Sequence, residues 1–71
     1  MRNIRIMLDI EKIKAIRQRM GLSQGEAAKS AGLHGRQNWW AIESGTRTNV
    51  RLETLGKIAA ALGVKARDLL R

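Results

Sequence analysis

Two neighbouring side chains, Arg36 and Gln37, carry planar hydrogen-bonding groups that suit the edges of nucleic-acid bases. Arginine can donate two parallel hydrogen bonds to O6 and N7 of guanine, and glutamine can pair with N6 and N7 of adenine. Ala41, further along, could meet the methyl group of a thymine. A phosphate contact for Arg36 and simple solvation for Gln37 are the alternatives, because most protein–DNA hydrogen bonds go to the backbone.

Two short helices joined by a turn must position these side chains. Ser23 and Glu26 match a capping box, which predicts a helix over residues 24–31. Glycine interrupts the pattern, and another helix is predicted over residues 36–44. This order is the pattern of a helix-turn-helix. The residues on or beside the outward face of the second of these helices are Arg36, Gln37, Trp40 and Ala41.

Three further helices are predicted to support this pair. Asp9 is expected to cap a helix ending at residue 20, with an inner face of Ile10, Ile13, Ile16 and Met20. Its basic residues, predicted to lie mostly outside, are Lys12, Lys14, Arg17 and Arg19. A fourth helix over residues 51–62 is expected to bury Leu52, Leu55, Ile58, Ala59 and Leu62. A last short helix over residues 64–70 turns Leu69 and Leu70 inward, whereas residues 1–8 allow either a short strand or a frayed basic arm.

The two tryptophans have different predicted roles. Trp39 lies three residues before Ile42 and is expected in the core. It would fill the space left by the small residues of the preceding helix, Ala27, Ala28 and Ala31. Trp40 has three open alternatives: it covers the bundle, packs on sugar and phosphate beside a groove, or anchors a protein partner.

The composition favours a small basic domain. Fourteen Lys and Arg against six Asp and Glu give the 71 residues a net charge of +8, which suits a polyanionic partner. The chain has no cysteine and one histidine, His34, which is expected in a turn, so neither a metal nor a cofactor is indicated. No catalytic constellation suggests an enzyme. Charges interrupt every apolar run, and a soluble, cytoplasmic protein is expected.

Four segments in a fixed order resemble a known family. IKAIRQRMGLSQ, AAKSAGL, AIESGTR and LETLGKIAAALGV follow one another as in the lambda-repressor and Cro-like (Xre-type) helix-turn-helix proteins. The similarity covers residues 10–70. It implies an all-α, five-helix bundle whose third helix enters the DNA major groove while the second lies across the backbone. The domain would then comprise residues 9–71, preceded by an arm or strand at residues 1–8.

The resemblance also implies which residues contact DNA. Arg36, Gln37 and Ala41 match positions that commonly read base edges. Trp40 is a further candidate on the same outward face, although small or polar residues are more usual at its position. The candidates for backbone contacts are Gln24, Arg47, Thr48 and Asn49. Arg51 is a further candidate from its position alone, because it lies where the loop meets the next helix start, which suits an anion. Glu43 matches a structural acidic position. The turn is one residue longer than usual, so either His34 or Gly35 could begin the third helix.

The function expected from these features is that of a sequence-specific transcriptional regulator. A repressor is favoured, binding double-stranded DNA as a homodimer on a pseudo-palindromic operator, because one recognition helix reads only a few base pairs. The alternative is an antitoxin-like adaptor that holds a partner protein through Trp40 or the N-terminal segment and represses its own operon. No membrane partner is expected.

Overall fold

The computed structural model describes residues 8–47 and 50–71. Within these ranges the chain forms four α-helices, with the bounds α1 Ile10–Arg19, α2 Gln24–Ser30, α3 Arg36–Glu43 and α4 Leu52–Leu62. A short 3₁₀-helix, Ala66–Leu69, follows. The described residues contain no β-sheet, since their only strand-like pairing is an isolated antiparallel bridge between Leu8 and Leu70. The expected all-helical fold is therefore confirmed.

Local hydrogen bonds explain where the helices begin and end. Asp9 caps α1 by accepting a hydrogen bond from the backbone of Lys12, at 3.2 Å. Ser23 and Glu26 form the predicted capping box at the start of α2, with reciprocal bonds of 2.9 and 3.0 Å. Each α-helix is followed by a glycine with positive φ, the conformation that ends a helix at low cost.

The core lies where the four helices and the 3₁₀-helix meet. Trp39 is fully buried in one cluster with the small residues of α2, as predicted. Because these alanines are small, α3 can approach α2 closely and fill the space with the indole ring. The remaining buried apolar residues are Ile13, Ile42, Val50, Leu55, Ile58, Ala59, Leu62 and Leu69.

The last predicted helix is shorter and tighter than expected. Instead of an α-helix over residues 64–70, the chain forms the 3₁₀-helix, and Leu70 is extended and half-buried in the bridge to Leu8. The amide of Asp9 donates to the carbonyl of Leu69 at 2.8 Å, which ties the two ends together. The predicted fifth α-helix is therefore not present in this form. The expected N-terminal strand or arm, apart from Leu8, lies outside the described residues.

Two residues predicted to be buried are exposed. Met20 follows the last residue of α1, and its side chain is 48% exposed. Leu52 is the first residue of α4 and is 68% exposed. The core at this end of α4 is filled by Val50, which precedes the helix. In both cases the apolar pattern of the sequence continues to the end of a helix, where the side chain is no longer covered by the core.

Candidate nucleic-acid interface

The start of α2 and the outward face of α3 together line one open concavity. Its volume is about 390 Å³, and its lining residues are Gln24, Arg36, Gln37 and Trp40. Gln24 is the first residue of α2, whereas the other three come from the first five residues of α3. The fold therefore brings together one predicted backbone contact and three of the four predicted base readers.

The turn between the helices sets the orientation of α3. Gly32 and Leu33 donate to the carbonyls of Lys29 and Ala28, at 3.1 and 2.8 Å, and so close the end of α2. Helix α3 begins at Arg36, with Gly35 as its N-cap at φ 80° and ψ 158°. Helix α3 thus begins where the predicted span of residues 36–44 begins, and neither of the two alternative starts, His34 and Gly35, is its first residue.

Gly35 also has a steric role in the concavity. The Gln37 side chain folds back over it, so that a Cβ atom at Gly35 would lie 2.9 Å from Gln37 Oε1. Asn38 donates from its side-chain amide to the carbonyl of His34 and thereby ties α3 to the turn. The absence of a side chain at Gly35 thus makes room for a predicted base reader.

Glu43, at the end of α3, is held by four hydrogen bonds from three helices. Arg17 of α1 donates Nε to Oε2 at 2.5 Å and Nη2 to Oε1 at 3.0 Å. Gln24 Nε2 donates to Oε1 at 3.2 Å, and the Trp39 indole donates to Oε2. The predicted structural role of Glu43 is confirmed, because its carboxylate is occupied inside the protein.

The electrostatics of Glu43 follow from these contacts. Burial alone raises the pKa of its carboxyl group, but the hydrogen bonds from Arg17, Trp39 and Gln24, with the charge of Arg17, outweigh burial. The pKa of Glu43 therefore lies below its usual value of 4.5. The group remains a carboxylate at neutral pH, as the ion pair with Arg17 requires.

Arg17 was predicted to lie mostly outside, and this expectation is wrong. Its side chain is only 10% exposed, and besides the pair with Glu43 it donates Nη1 to the carbonyl of Leu22 at 2.8 Å. The sequence held a signal for this: Arg17 lies four residues after the buried Ile13, on the same face of α1. A buried arginine needs a carboxylate partner, and Glu43 meets that need.

The remaining predicted contact residues that the structure describes differ in their exposure. Trp40 is 51% exposed, so it is not part of the core. Ala41 is half-buried and does not line the concavity, and its carbonyl accepts from the backbone of Arg47 at 2.9 Å. Arg51 is exposed immediately before α4. Thr48 and Asn49, also predicted to touch phosphates, lie outside the described residues.

Residues 8–47 and 50–71 contain no group of three or more metal-ligating side chains. No helix among them is long and apolar enough to span a membrane.

The geometry of α2, its turn and α3 defines a helix-turn-helix, and comparison with known proteins agrees. The family model described as a helix-turn-helix domain matches residues 11–71. The chain belongs to the helix-turn-helix proteins of the lambda-repressor-like (Xre) family. No curated protein sequence matches it significantly.

Solved structures of regulators share this fold. SinR of Bacillus subtilis, the master regulator for biofilm formation, solved in complex with DNA, is 31% identical with a TM-score of 0.79. That match covers 87% of this chain and 97% of the other. The restriction-modification controller protein C.AhdI of Aeromonas hydrophila is 35% identical, with a TM-score of 0.77 and coverage of 84% and 88%.

A third similar structure is that of NHTF, a hypothetical transcription factor from Neisseria. It is 39% identical, with a TM-score of 0.78, and the match covers 87% of this chain and 69% of the other. Against the SinR chain solved with SinI, this chain spans 59% of the length. These relatives are regulators and not enzymes, in agreement with the prediction for this chain.

Proposed function

We propose that this chain is a sequence-specific transcriptional regulator that binds double-stranded DNA with α3 in the major groove. The observation that carries the proposal is the concavity in which Gln24 of α2 faces the same space as Arg36, Gln37 and Trp40 of α3. Helix-turn-helix proteins read base edges from the start of the second helix of the pair while the first crosses the backbone. The similarity to SinR, which was solved with DNA, supports the same use of these helices here.

Each residue lining the concavity has a distinct proposed contact. Arg36 donates two hydrogen bonds to a guanine, and Gln37 pairs with an adenine. Gln24 contacts a phosphate through the amide hydrogen that it does not share with Glu43. Trp40 supplies an apolar surface toward the bases, and Ala41 meets a thymine methyl group at the edge of the site.

The basic residues near the site are proposed to hold the DNA backbone. Arg47 and Arg51 belong to the segment that joins α3 to α4, and Thr48 and Asn49 lie between them in the sequence. Phosphate contacts of this kind release counterions, so affinity falls as salt rises. The net charge of +8 favours such binding to a duplex of any sequence. Discrimination between sequences is proposed to come from the residues that line the concavity.

We further propose that two copies bind a pseudo-palindromic operator and act as a repressor. One α3 helix contacts few base pairs, so a second copy at a half-site about one turn away, roughly 34 Å, is required for useful specificity. Occupation of such a site at a promoter would block transcription.

Selection from a randomised duplex library at near-physiological salt tests the proposal. The purified protein is expected to enrich a motif with two related half-sites. Binding that is sensitive to salt and free of any motif would contradict sequence-specific recognition, and an enriched motif with a single half-site would contradict the two-copy arrangement.

A matched pair of variants then separates base reading from backbone binding. Arg36→Ala should relax preference at one position of the motif by about 1–3 kcal/mol, whereas Arg47→Ala should weaken all sequences alike and reduce the salt slope by about 1. The base-reading role of Arg36 is wrong if the two variants behave in the same way.

An adaptor that also holds a partner protein is the second candidate. The observation in its favour is the half-exposed indole of Trp40, since exposed tryptophan is common at protein interfaces. SinR has been solved in complex with SinI, so a similar domain occurs in a chain that assembles with another protein. Co-purification of the natively expressed chain would support this candidate if one protein is retained at a fixed ratio and is lost on Trp40→Ala.

A further inference from the structure

We propose that Arg17, a buried residue of α1, sets DNA affinity by positioning Gln24 through Glu43. The inference rests on the proposed function and assigns a role to the buried network beneath the concavity. Arg17, Glu43 and Gln24 belong to α1, α3 and α2, and the hydrogen bonds among them connect all three helices.

The Glu43 carboxylate has no free acceptor site. Two oxygens offer about four lone-pair positions, and these are taken by two donors from Arg17, one from Trp39 and one from Gln24. Glu43 therefore acts within the protein and is not available to a base or a phosphate. Its side chain is only 4% exposed.

The hydrogen bond with Glu43 fixes the orientation of the Gln24 amide. A carboxylate accepts hydrogen bonds and cannot donate them, so Gln24 must turn Nε2, and not Oε1, toward Glu43. One hydrogen of Nε2 remains available for a phosphate oxygen. An amide held in this way loses less side-chain entropy on binding than a free glutamine side chain.

Arg17 holds the start of α2 by a second route. Its Nη1 atom donates to the carbonyl of Leu22, two residues before Gln24. The same guanidinium thus fixes both the backbone entering α2 and, through Glu43, the side chain of its first residue. Trp39, four residues before Glu43 in α3, donates to the same carboxylate and so restrains its orientation.

Lysine cannot replace the hydrogen bonds that Arg17 makes in this network. In residues 8–47 and 50–71, no buried side-chain nitrogen or oxygen lacks a hydrogen-bond partner. Lysine at position 17 would keep the charge but lose the planar fork, which donates to Glu43 twice and to Leu22 once. Among the other donors to Glu43, Gln24 would then share the carboxylate with Trp39 alone.

A double-mutant cycle between Arg17→Lys and Gln24→Ala tests the inference with the enriched duplex. We expect Arg17→Lys to weaken binding to this duplex about threefold or more. Duplexes with altered motif sequences should lose affinity by the same factor, because the affected contact is to the DNA backbone. In the Gln24→Ala background, Arg17→Lys should have no further effect on affinity. Arg19→Lys, an exposed replacement in the same helix, is the control and should leave affinity unchanged.

Thermal unfolding separates positioning from a purely structural role. Arg17→Lys should lower the melting temperature both with and without Gln24, whereas its effect on affinity should require Gln24. Equal loss of affinity in both backgrounds, or no loss in either, overturns the inference.

A spectroscopic measurement keeps the inference testable without DNA. The side-chain amide resonances of Gln24, assigned by their absence in Gln24→Ala, should shift in Arg17→Lys and stay in place in Arg19→Lys. Unchanged resonances would show that Arg17 does not position Gln24. A library that yields no motif would instead contradict the proposed function, so the two failures are distinguishable.

Discussion

Glu43 illustrates how a charged residue of α3 can be occupied entirely by hydrogen bonds within the protein. Moving a carboxylate out of water is costly unless other groups replace its hydration. Here the guanidinium of Arg17, an indole and an amide replace it completely. Removal of the carboxylate would leave a buried guanidinium without its counter-charge.

We therefore expect Glu43→Ala to destabilise the protein by about 3–5 kcal/mol, the usual cost of breaking a buried ion pair. Denaturant unfolding followed by circular dichroism measures this. The control is Glu53→Ala, because Glu53 is 81% exposed and its contact with Lys57 is 3.8 Å. Its loss should be worth less than about 0.5 kcal/mol. Similar costs for the two variants would refute a special role for the buried pair.

Trp40 and Trp39 are neighbours in sequence with opposite environments. Trp39→Ala removes a fully buried side chain and should cost about 3–5 kcal/mol. Trp40→Ala should change stability far less, because half of that side chain is already exposed, yet it should weaken DNA binding.

The predicted contribution of Trp40 to DNA binding can be tested by removing single methyl groups from the DNA. If Trp40 offers its apolar surface to a thymine, replacing that thymine by uracil should weaken binding to the wild type and not to Trp40→Ala. Titrations on the enriched duplex measure the difference. An equal effect of uracil on both proteins would exclude Trp40 as the methyl contact.

At the scale of the helices, the turn between α2 and α3 offers a second matched pair. Gly32 and Gly35 both have positive φ, so alanine is strained at either position, by about 1–2 kcal/mol. A Cβ atom at Gly32 meets nothing within 4 Å, whereas one at Gly35 meets the Gln37 side chain. Gly32→Ala should therefore lower the stability of the protein without changing its base preference.

Gly35→Ala should lower stability and also change the base preference assigned to Gln37. Repeating the library selection with both variants checks this. If Gly35→Ala enriches the same motif as the wild type, the base preference assigned to Gln37 does not depend on the space that Gly35 leaves open.

The helices were predictable where local chemistry defines them. The capping box at Ser23 and Glu26 and the glycine after each helix are short-range signals, and the predicted start of α2 agrees with the structure. The final α-helix was not predictable in its form. The chain there is governed by pairing of Leu70 with Leu8, a contact between distant residues that periodicity does not reveal.

The concavity was only partly predictable. The resemblance to the family supplied Gln24, Arg36 and Gln37 by position, and the structure places them around one space with Trp40. The network beneath them was missed, because a basic residue on a helix is normally assigned to the surface. Arg17 is buried only because Glu43, from another helix, comes within hydrogen-bond distance.

For the whole molecule, these contacts predict a loss of stability in acid. The pKa values of Glu43 and Glu26 are lowered in the folded protein from the usual 4.5. Glu26 owes this to the hydrogen bonds with Ser23. A lowered pKa in the folded state stabilises the protein above the unfolded pKa, and that contribution disappears as pH falls through the folded value.

Melting temperatures should therefore be steady near neutral pH and fall below about pH 4.5. Glu43→Gln should melt lower than the wild type at pH 7, and the gap should narrow as the pH falls, because protonation removes the charge that the variant already lacks. A gap that stays constant down to pH 3 would contradict this assignment.

The bridge between Leu8 and Leu70 has a consequence for the order of folding. Nearly the whole described chain lies between these two residues, so forming the bridge closes a long loop, which costs more entropy than the short-range contacts of α2 and α3. We expect the ends to join last and to open first, while the two central helices stay closed. Hydrogen exchange should accordingly be faster at the amide of Asp9, bonded to Leu69, than at the amide of Leu33, bonded to Ala28. The helix-turn-helix is then a folding unit that survives transient release of both chain ends.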